Sequence, residues 1–132
     1  MLLLDTNICI YAIRHRSQVV LNHLRQQNPG EVGVSAITIA ELEHGVAKSV
    51  RREENAEALQ MFLAPLEIFP FEDRAAVYYG RIRADLEAQG TIIGGMDLLI
   101  AAHALSLSAV VVTNNEREFR RVPGLEVVNW SK

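Results

Sequence analysis

Three acidic side chains occupy positions in the sequence where a carboxylate could do chemistry. Asp5 follows three leucines, Glu41 lies in an otherwise apolar segment, and Asp97 begins an unusually apolar stretch. Clustered carboxylates repel one another, so without a cation they would cost stability or retain protons. Purely oxygen ligands favour Mg²⁺ or Mn²⁺. The sequence therefore indicates metal chemistry if the fold brings the three acids together.

Each of these acids also has an ordinary structural explanation as part of a helix cap. Asp5 or Thr6 could cap a helix that follows the first strand, and Asp97 could cap the apolar helix that it begins. Thr38 and Glu41 form a T-x-x-E capping box with Thr38 as the cap. For each acid taken singly, capping and metal binding both remain open.

Short apolar strands alternate with helices along the predicted chain. The predicted strands are Leu2–Leu4, Glu31–Val34, Leu66–Phe71, Ala109–Val112 and Glu126–Val128. The predicted helices are Ile8–Ile13, Val19–Gln27, Thr38–Lys48, Arg52–Leu63, Asp73–Gln89, Asp97–Leu107 and Glu116–Arg121. This alternation is typical of an α/β fold in three layers, with a short, mainly parallel central sheet of roughly four to five strands flanked by helices. Sites in such sheets lie at the carboxyl ends of strands near a topological switch point, where Asp5 and Thr113 would stand.

Composition limits the alternatives. A chain of 132 residues predicts a single domain, 1–132. Its only cysteine, Cys9, lies among apolar residues and is interpreted as a small core side chain. The four histidines show no zinc spacing, and His103 on the apolar helix is interpreted as a packed core residue. The sequence lacks a signal peptide and a membrane span, which predicts a cytoplasmic protein.

The net charge of −3 is unusual for a protein that binds nucleic acid, so the distribution of the basic residues matters more than the total. They bunch at Arg14–Arg16, Lys48–Arg52, Arg81–Arg83 and Arg117–Arg121. Folding could gather several of these clusters on one face. Each cluster could equally be a solvated helix surface.

Four segments, in order along the whole chain, resemble the motifs of PIN domains. They are Leu4–Ile8, Ser35–Leu42, Asp97–Ala104 and Val112–Phe119. The chain is most similar to the VapC-type toxins within that family. The resemblance implies a PIN-like fold in which Asp5, Glu41 and Asp97 are the acidic metal-site residues. Asp5 and Asp97 would bind Mg²⁺ directly, with Glu41 binding directly or through water.

The fourth motif departs from the family pattern. Many members carry a fourth acid where this sequence has Asn115, with Glu118 one helical turn onward. The resemblance therefore makes Asn115 the fourth catalytic position, which adds a hydrogen-bonding group but no charge. Thr6, Asn7, Thr113 and Glu118 would orient the carboxylates or water from a surrounding layer.

The resemblance implies a Mg²⁺-dependent endoribonuclease toxin, with Mn²⁺ as a possible substitute, that hydrolyses phosphodiester bonds in folded RNA. The expected substrate is a tRNA anticodon loop, with initiator tRNA as the leading candidate, because unstacked loop bases can enter a pocket. The expected partners are a VapB-type antitoxin and a second copy of the chain. The expected larger toxin–antitoxin complex would contact promoter DNA only through the antitoxin.

Three alternatives to a ribonuclease account for part of the sequence pattern. A phosphoacceptor receiver domain would explain Thr113, but no aspartate ends the Leu66–Phe71 strand and the only lysine after the last strand is terminal Lys132. A haloacid-dehalogenase-type phosphatase needs two aspartates after its first strand, and this sequence supplies only Asp5. A catalytically silent PIN module that binds RNA or a protein partner remains open because of Asn115.

Overall fold

Five short parallel strands form the central sheet in the computed structural model, which describes residues 1–15 and 17–131. The strands are β1 (Leu2–Leu4), β2 (Val32–Ser35), β3 (Glu67–Phe69), β4 (Val110–Thr113) and β5 (Val127–Asn129). Their order across the sheet is β3-β2-β1-β4-β5, and every neighbouring pair is parallel. The predicted mainly parallel α/β sheet is therefore confirmed.

Seven helices connect these strands in the described ranges. They are α1 (Thr6–His15), α2 (Gln18–Arg25), α3 (Ala36–Ala47), α4 (Arg52–Leu63), α5 (Asp73–Ala88), α6 (Gly95–Leu107) and α7 (Glu116–Phe119). Helices α5 and α6 pack against each other, and α3 packs against α1 and α4. Crossovers of this kind are required because parallel strands cannot be joined by tight hairpins.

Two hydrophobic clusters cover the two faces of the sheet and complete the three layers. One contains Leu3 and Val111 from the sheet together with side chains of α5 and α6. The other contains Leu4 and Val112 together with side chains of α1, α2, α3 and α4. Adjacent strand residues belong to different clusters because successive side chains in a strand point to opposite faces. Burial on both faces explains why these strands read as continuous apolar runs.

The topological switch point lies between β1 and β4. From β1 the chain passes outward to β2 and β3, and then returns to place β4 on the other side of β1. Leu4 is in register with Val34 on one side and with Val112 on the other. The residues just after these three positions therefore converge at one edge of the sheet, where ligands bind in folds of this class.

Three predicted helix starts are wrong by two residues, and all three errors concern caps. The first helix begins at Thr6 rather than Ile8, because Asp5 caps it by accepting a hydrogen bond from the Ile8 amide. The third helix begins at Ala36 rather than Thr38, because Ser35 Oγ caps it by accepting a hydrogen bond from the Ile37 amide at 3.0 Å. The apolar helix α6 begins at Gly95 with Gly94 as its cap, so Asp97 lies inside the first turn.

Other observations concern the remaining predictions. Cys9 is completely buried, as its apolar surroundings predicted. Arg16 of the Arg14–Arg16 cluster and terminal Lys132 lie outside the described residues. Within the ranges the structure describes, no helix has the length and apolar character that crossing a membrane requires.

Candidate active site

Asp5 stands at the end of β1 and uses both carboxylate oxygens in hydrogen bonds. Its Oδ1 accepts from the Ile8 amide at 2.8 Å, and its Oδ2 accepts from Thr113 Oγ1 at 2.6 Å. Burial raises the pKa of Asp5 to about 6 against the opposing effect of these two hydrogen bonds, and the charge of Glu41 raises it further. Asp5 is thus both the cap of α1 and a buried, destabilised carboxylate.

Thr113 holds Asp5 from the end of the adjacent strand. While its hydroxyl donates to Asp5, its oxygen accepts the Asn115 amide at 2.8 Å. The second hydrogen bond shapes the turn that leads from β4 into α7. Thr113 is therefore a buried link between the first and fourth motifs, as its predicted orienting role requires.

Glu41 is held by the Thr6 hydroxyl and does not cap its helix. Thr6 Oγ1 donates to Glu41 Oε1 at 2.6 Å and also lies 3.2 Å from Thr38 Oγ1. Thr38 is completely buried within the first turn of α3, where Ser35 has already supplied the cap. The T-x-x-E capping box is therefore a wrong interpretation, and the structure leaves Glu41 facing the groups around Asp5.

Asp97 faces three other carboxylates across the sheet edge. Its pKa is raised to about 7, first by burial, then by a hydrogen bond with the Glu118 carboxyl and by the charges of Asp5, Glu118 and Glu41. Two carboxyl groups hydrogen-bond each other only when one of them carries a proton. The capping interpretation of Asp97 is wrong, because Gly94 is the cap.

The structure separates the two candidates for the fourth position. Glu118, from α7, is partly buried and contacts Asp97. Asn115 is exposed, and only its backbone amide is engaged by a neighbour among the described residues. Asn7, also predicted to orient the site, is exposed at the start of α1. The fourth charge near the cluster is consequently that of Glu118, one helical turn beyond the position that the family pattern indicates.

The chemistry of this donor set fits a divalent cation. Burial is the main cause of the raised pKa values of Asp5 and Asp97, and the charges of neighbouring carboxylates raise both values further: Glu41 acts on Asp5, and Asp5, Glu118 and Glu41 act on Asp97. Across residues 1–15 and 17–131, no three acidic, histidine or cysteine side chains already stand as a complete metal-binding set. A cation held by these residues would offset the negative charge that they bring together.

His103 links the two helices that carry Glu41 and Asp97, a role that the sequence did not reveal. As predicted, its side chain is buried. Its Nδ1 lies 2.8 Å from Ser35 Oγ, and its other ring nitrogen reaches the Pro70 carbonyl. Because that nitrogen must donate to the carbonyl, Nδ1 accepts from the Ser35 hydroxyl. No local pattern indicates this contact, since His103 and Ser35 are 68 positions apart.

A cleft runs from the acids between α1, α3 and α4. Two adjoining cavities share five lining residues, Ile10, Arg14, Glu41, Gly45 and Lys48, which together we call the α1–α3 cleft. Thr6 and Met96 line the end beside the acids, while Leu59 lines the far end. The cleft thus connects basic side chains from two of the predicted basic clusters to the acidic edge of the sheet.

Comparison with known proteins places the whole chain in one family. The PIN domain family profile matches residues 2–125. Ribonuclease VapC2 of Rickettsia felis is 45% identical over 131 residues, covering 98% of each chain. The tRNA(fMet)-specific endonuclease VapC of Salmonella typhimurium is 40% identical over 131 residues, covering 97% of this chain and 96% of the relative.

Solved structures give the same result at the level of the fold. The VapBC2 complex from Rickettsia felis, bound to a DNA fragment from its promoter, contains a chain with a TM-score of 0.95 at 44% identity and 98% coverage of both chains. DNA-bound VapBC from Salmonella typhimurium contains a chain with a TM-score of 0.94 at 39% identity, covering 98% of this chain and 97% of that one.

Proposed function

The chain belongs to the PIN-domain family as a ribonuclease of the VapC type, and from that premise we propose a Mg²⁺-dependent endoribonuclease toxin that cleaves a tRNA anticodon loop. Initiator tRNA is the proposed target because the Salmonella relative is named a tRNA(fMet)-specific endonuclease. A tRNA substrate would place the activity in the cytoplasm. Mn²⁺ is the proposed substitute metal, since it shares the preference of Mg²⁺ for oxygen ligands.

The acid cluster at the switch point is the observation that carries this proposal. Asp5, Glu41 and Asp97 come from three separate motifs, yet the charges of Asp5 and Glu41 both raise the pKa of Asp97, and the charge of Glu41 also raises the pKa of Asp5. Acids on an ordinary solvated surface would not be gathered and half-buried, because removing their charges from water costs free energy that nothing there would offset. Asp5, Asp97 and Glu41 would hold the metal, with Glu118 as the fourth charge.

The surrounding side chains set the geometry of these acids. Thr113 directs one oxygen of Asp5, and the Ile8 amide fixes the other, so the carboxylate cannot rotate freely. Thr6 fixes one oxygen of Glu41 and leaves the second available. When bound, Mg²⁺ would acidify a water molecule and neutralise charge on the phosphate that is attacked. The chain itself supplies preorganised acids at the edge of a rigid sheet.

Asn115 would act differently from the acids in this scheme. Its exposed amide stands at the start of α7, where it is available to donate to a phosphate or to water. Asn7 is similarly exposed at the start of α1. We propose that both contact the substrate rather than the metal, and that Glu118 supplies the charge that Asn115 lacks.

The partners of the toxin are proposed from the complexes that resemble it. Both similar solved structures are VapBC complexes with DNA, and one contains promoter DNA. We infer a VapB-type antitoxin that blocks the acids, a homodimeric toxin, and a larger complex that reaches promoter DNA through the antitoxin. A free nuclease of this kind would otherwise damage the RNA of its own cell.

The test is cleavage of total tRNA by the purified chain with Mg²⁺, with Mn²⁺ and with chelator, beside the Asp5→Asn variant. We expect one discrete metal-dependent cut in a tRNA that the variant does not cut. Asparagine retains an oxygen for the Ile8 amide, so loss of activity would reflect the lost charge. Cleavage that survives chelation would refute the metal mechanism. RNA binding without cleavage would instead identify a silent PIN module.

A further inference from the structure

The α1–α3 cleft adjoins the acids but is not part of the metal-binding set. The part of the cleft that reaches α4 is a cavity of about 170 Å³, and Glu41 lines this cavity as well as belonging to the acid cluster. Its floor is aliphatic, with Ile10 from α1, Leu42 from α3 and Leu59 from α4. An apolar pocket with a few polar groups at its edge is the usual form of a binding site for an organic group.

Gly45 keeps the middle of the cleft open. Glycine in the interior of a helix costs roughly 0.5–1 kcal/mol relative to alanine. Packing does not require it here, because a Cβ built at Gly45 would meet no atom within 4 Å. A side chain larger than a methyl group at this position would therefore extend into the open space over α3.

Two exposed cations, Arg14 and Lys48, line both parts of the cleft. Within the described part of the chain, neither of them forms an ion pair. By contrast, Arg51, Arg83 and Arg120 pair with glutamates three or four positions away along the chain. Two unpaired cations beside an aliphatic floor, in a protein of net charge −3, are complementary to an anionic ligand with an apolar part.

We propose that the α1–α3 cleft binds the unpaired nucleotide next to the scissile phosphodiester, with its base on the aliphatic floor and its phosphate between Arg14 and Lys48. This inference rests on the proposed ribonuclease function and deepens it. A substrate strand with its scissile bond at the acids has a neighbouring nucleotide within reach of the cleft, since Glu41 belongs to both. Unstacked bases need an apolar surface, and phosphates need cations.

The charge arm of the test measures binding of a fluorescent initiator-tRNA anticodon stem-loop to the Asp5→Asn chain, which does not cut the probe. Arg14→Gln with Lys48→Gln is compared with Arg25→Gln with Arg74→Gln, which removes the same charge from exposed positions outside the cleft. We expect the cleft pair to weaken binding about ten-fold and to reduce the salt slope by about 0.7, which is the change for one lost single-strand phosphate contact. The control pair should leave the salt slope nearly unchanged.

The steric arm uses Gly45. Gly45→Leu fills the cleft, whereas Gly45→Ala gives a comparable gain in helix propensity but leaves most of the space. Both variants should be at least as heat-stable as the parent. Gly45→Leu should weaken binding of the stem-loop about ten-fold, and Gly45→Ala should change it less than about two-fold. Equal binding by the two variants would overturn the proposal.

The remaining outcomes distinguish failure of the cleft proposal from failure of the proposed ribonuclease function. Weaker binding by the cleft variants, together with no metal-dependent cut by the wild-type chain, would leave the cleft standing and refute the proposed function. Cleavage by cleft variants at the wild-type rate and KM would refute the cleft alone, as would absence of stem-loop binding by the Asp5→Asn chain. Variants that bind and cut RNA normally but escape a co-expressed antitoxin would assign the cleft to a protein partner and overturn the proposal.

Discussion

Replacing Asp97 with asparagine should make the metal-free protein more stable at neutral pH while destroying its activity. The carboxylate of Asp97 is partly buried and faces Glu118, Asp5 and Glu41. Ionising Asp97 therefore costs more free energy in the folded state than in the unfolded chain. Asparagine has nearly the same shape and removes that cost, while an amide can still hydrogen-bond to Glu118.

The magnitude follows from the pKa of Asp97, which rises from 3.8 to about 7 on folding. At about 1.4 kcal/mol per pKa unit, and discounted by about half because the carboxyl is partly exposed to screening solvent, ionised Asp97 costs about 2 kcal/mol. The negative charge also favours the first turn of α6 by roughly 0.3–1 kcal/mol, which the variant loses. Repulsion and desolvation outweigh that loss, so the expected net gain is about 1–2 kcal/mol at pH 8.

The pH dependence has a defined sign because an acid with a raised folded-state pKa is most stable when protonated. The cost of Asp97 is absent below pH 3.8, grows between pH 3.8 and about 7, and is complete above that. The stability advantage of Asp97→Asn should therefore be largest at pH 8 and fall to about a third of that by pH 5. Saturating Mg²⁺ should stabilise the wild-type chain more than the variant.

Urea denaturation with chelator at pH 8 and pH 5 measures these differences. Asp73→Asn is the matched control, because Asp73 is an exposed acid in the first turn of α5 and has only the helix-dipole effect to lose. We expect Asp73→Asn to be slightly destabilising at both pH values. The reasoning about Asp97 would fail if Asp97→Asn were no more stable than wild type at pH 8, or if its advantage did not shrink at pH 5.

Three other substitutions test the supporting contacts. Glu41→Gln keeps an oxygen that accepts the hydrogen bond from Thr6, so its stability should stay within about 1 kcal/mol of wild type. Its rate of cleavage should fall about a hundred-fold because the charge is lost. Glu43→Gln, at an exposed position of the same helix, should cleave at the wild-type rate. Thr113→Val should weaken Mg²⁺ binding about 10- to 100-fold in a titration and cost about 1–3 kcal/mol in denaturation, while Thr113→Ser should preserve both. Burial lowers the pKa of His103 below 6.5, so its contribution to stability is lost as pH falls through that range. His103→Asn should flatten this acid dependence, and an unchanged profile would assign it to another group.

The centre of the sheet was predictable because β1 and β4 are apolar runs that end in a polar residue. Leu2–Leu4 ends at Asp5, and the run Val110–Val112 ends at Thr113, so parallel pairing alone brings both residues to the same edge. Asp5 and Thr113 then meet directly. Their position was therefore derived from the strand pattern before any side-chain contact was known.

The caps were not predictable from local sequence, because adjacent candidates compete. Ser35 and Thr38 are both good capping residues, and only the pairing of β2 decides that the helix begins after Ser35. Glu118 lies one turn along a short helix whose direction depends on the Thr113 hydroxyl. Its contact with Asp97 therefore needed the tertiary structure.

The hydrogen bond between Asp5 and Thr113 bears on the order in which the chain folds during its synthesis, because the two residues are 108 positions apart. On the ribosome, Asp5 and Glu41 emerge long before β4, so β1 can pair only with β2 until most of the chain has been made. Pairings of such long sequence separation form late in folding. In a nascent chain the switch point therefore lacks β4, and the acid cluster is completed only near the end of translation.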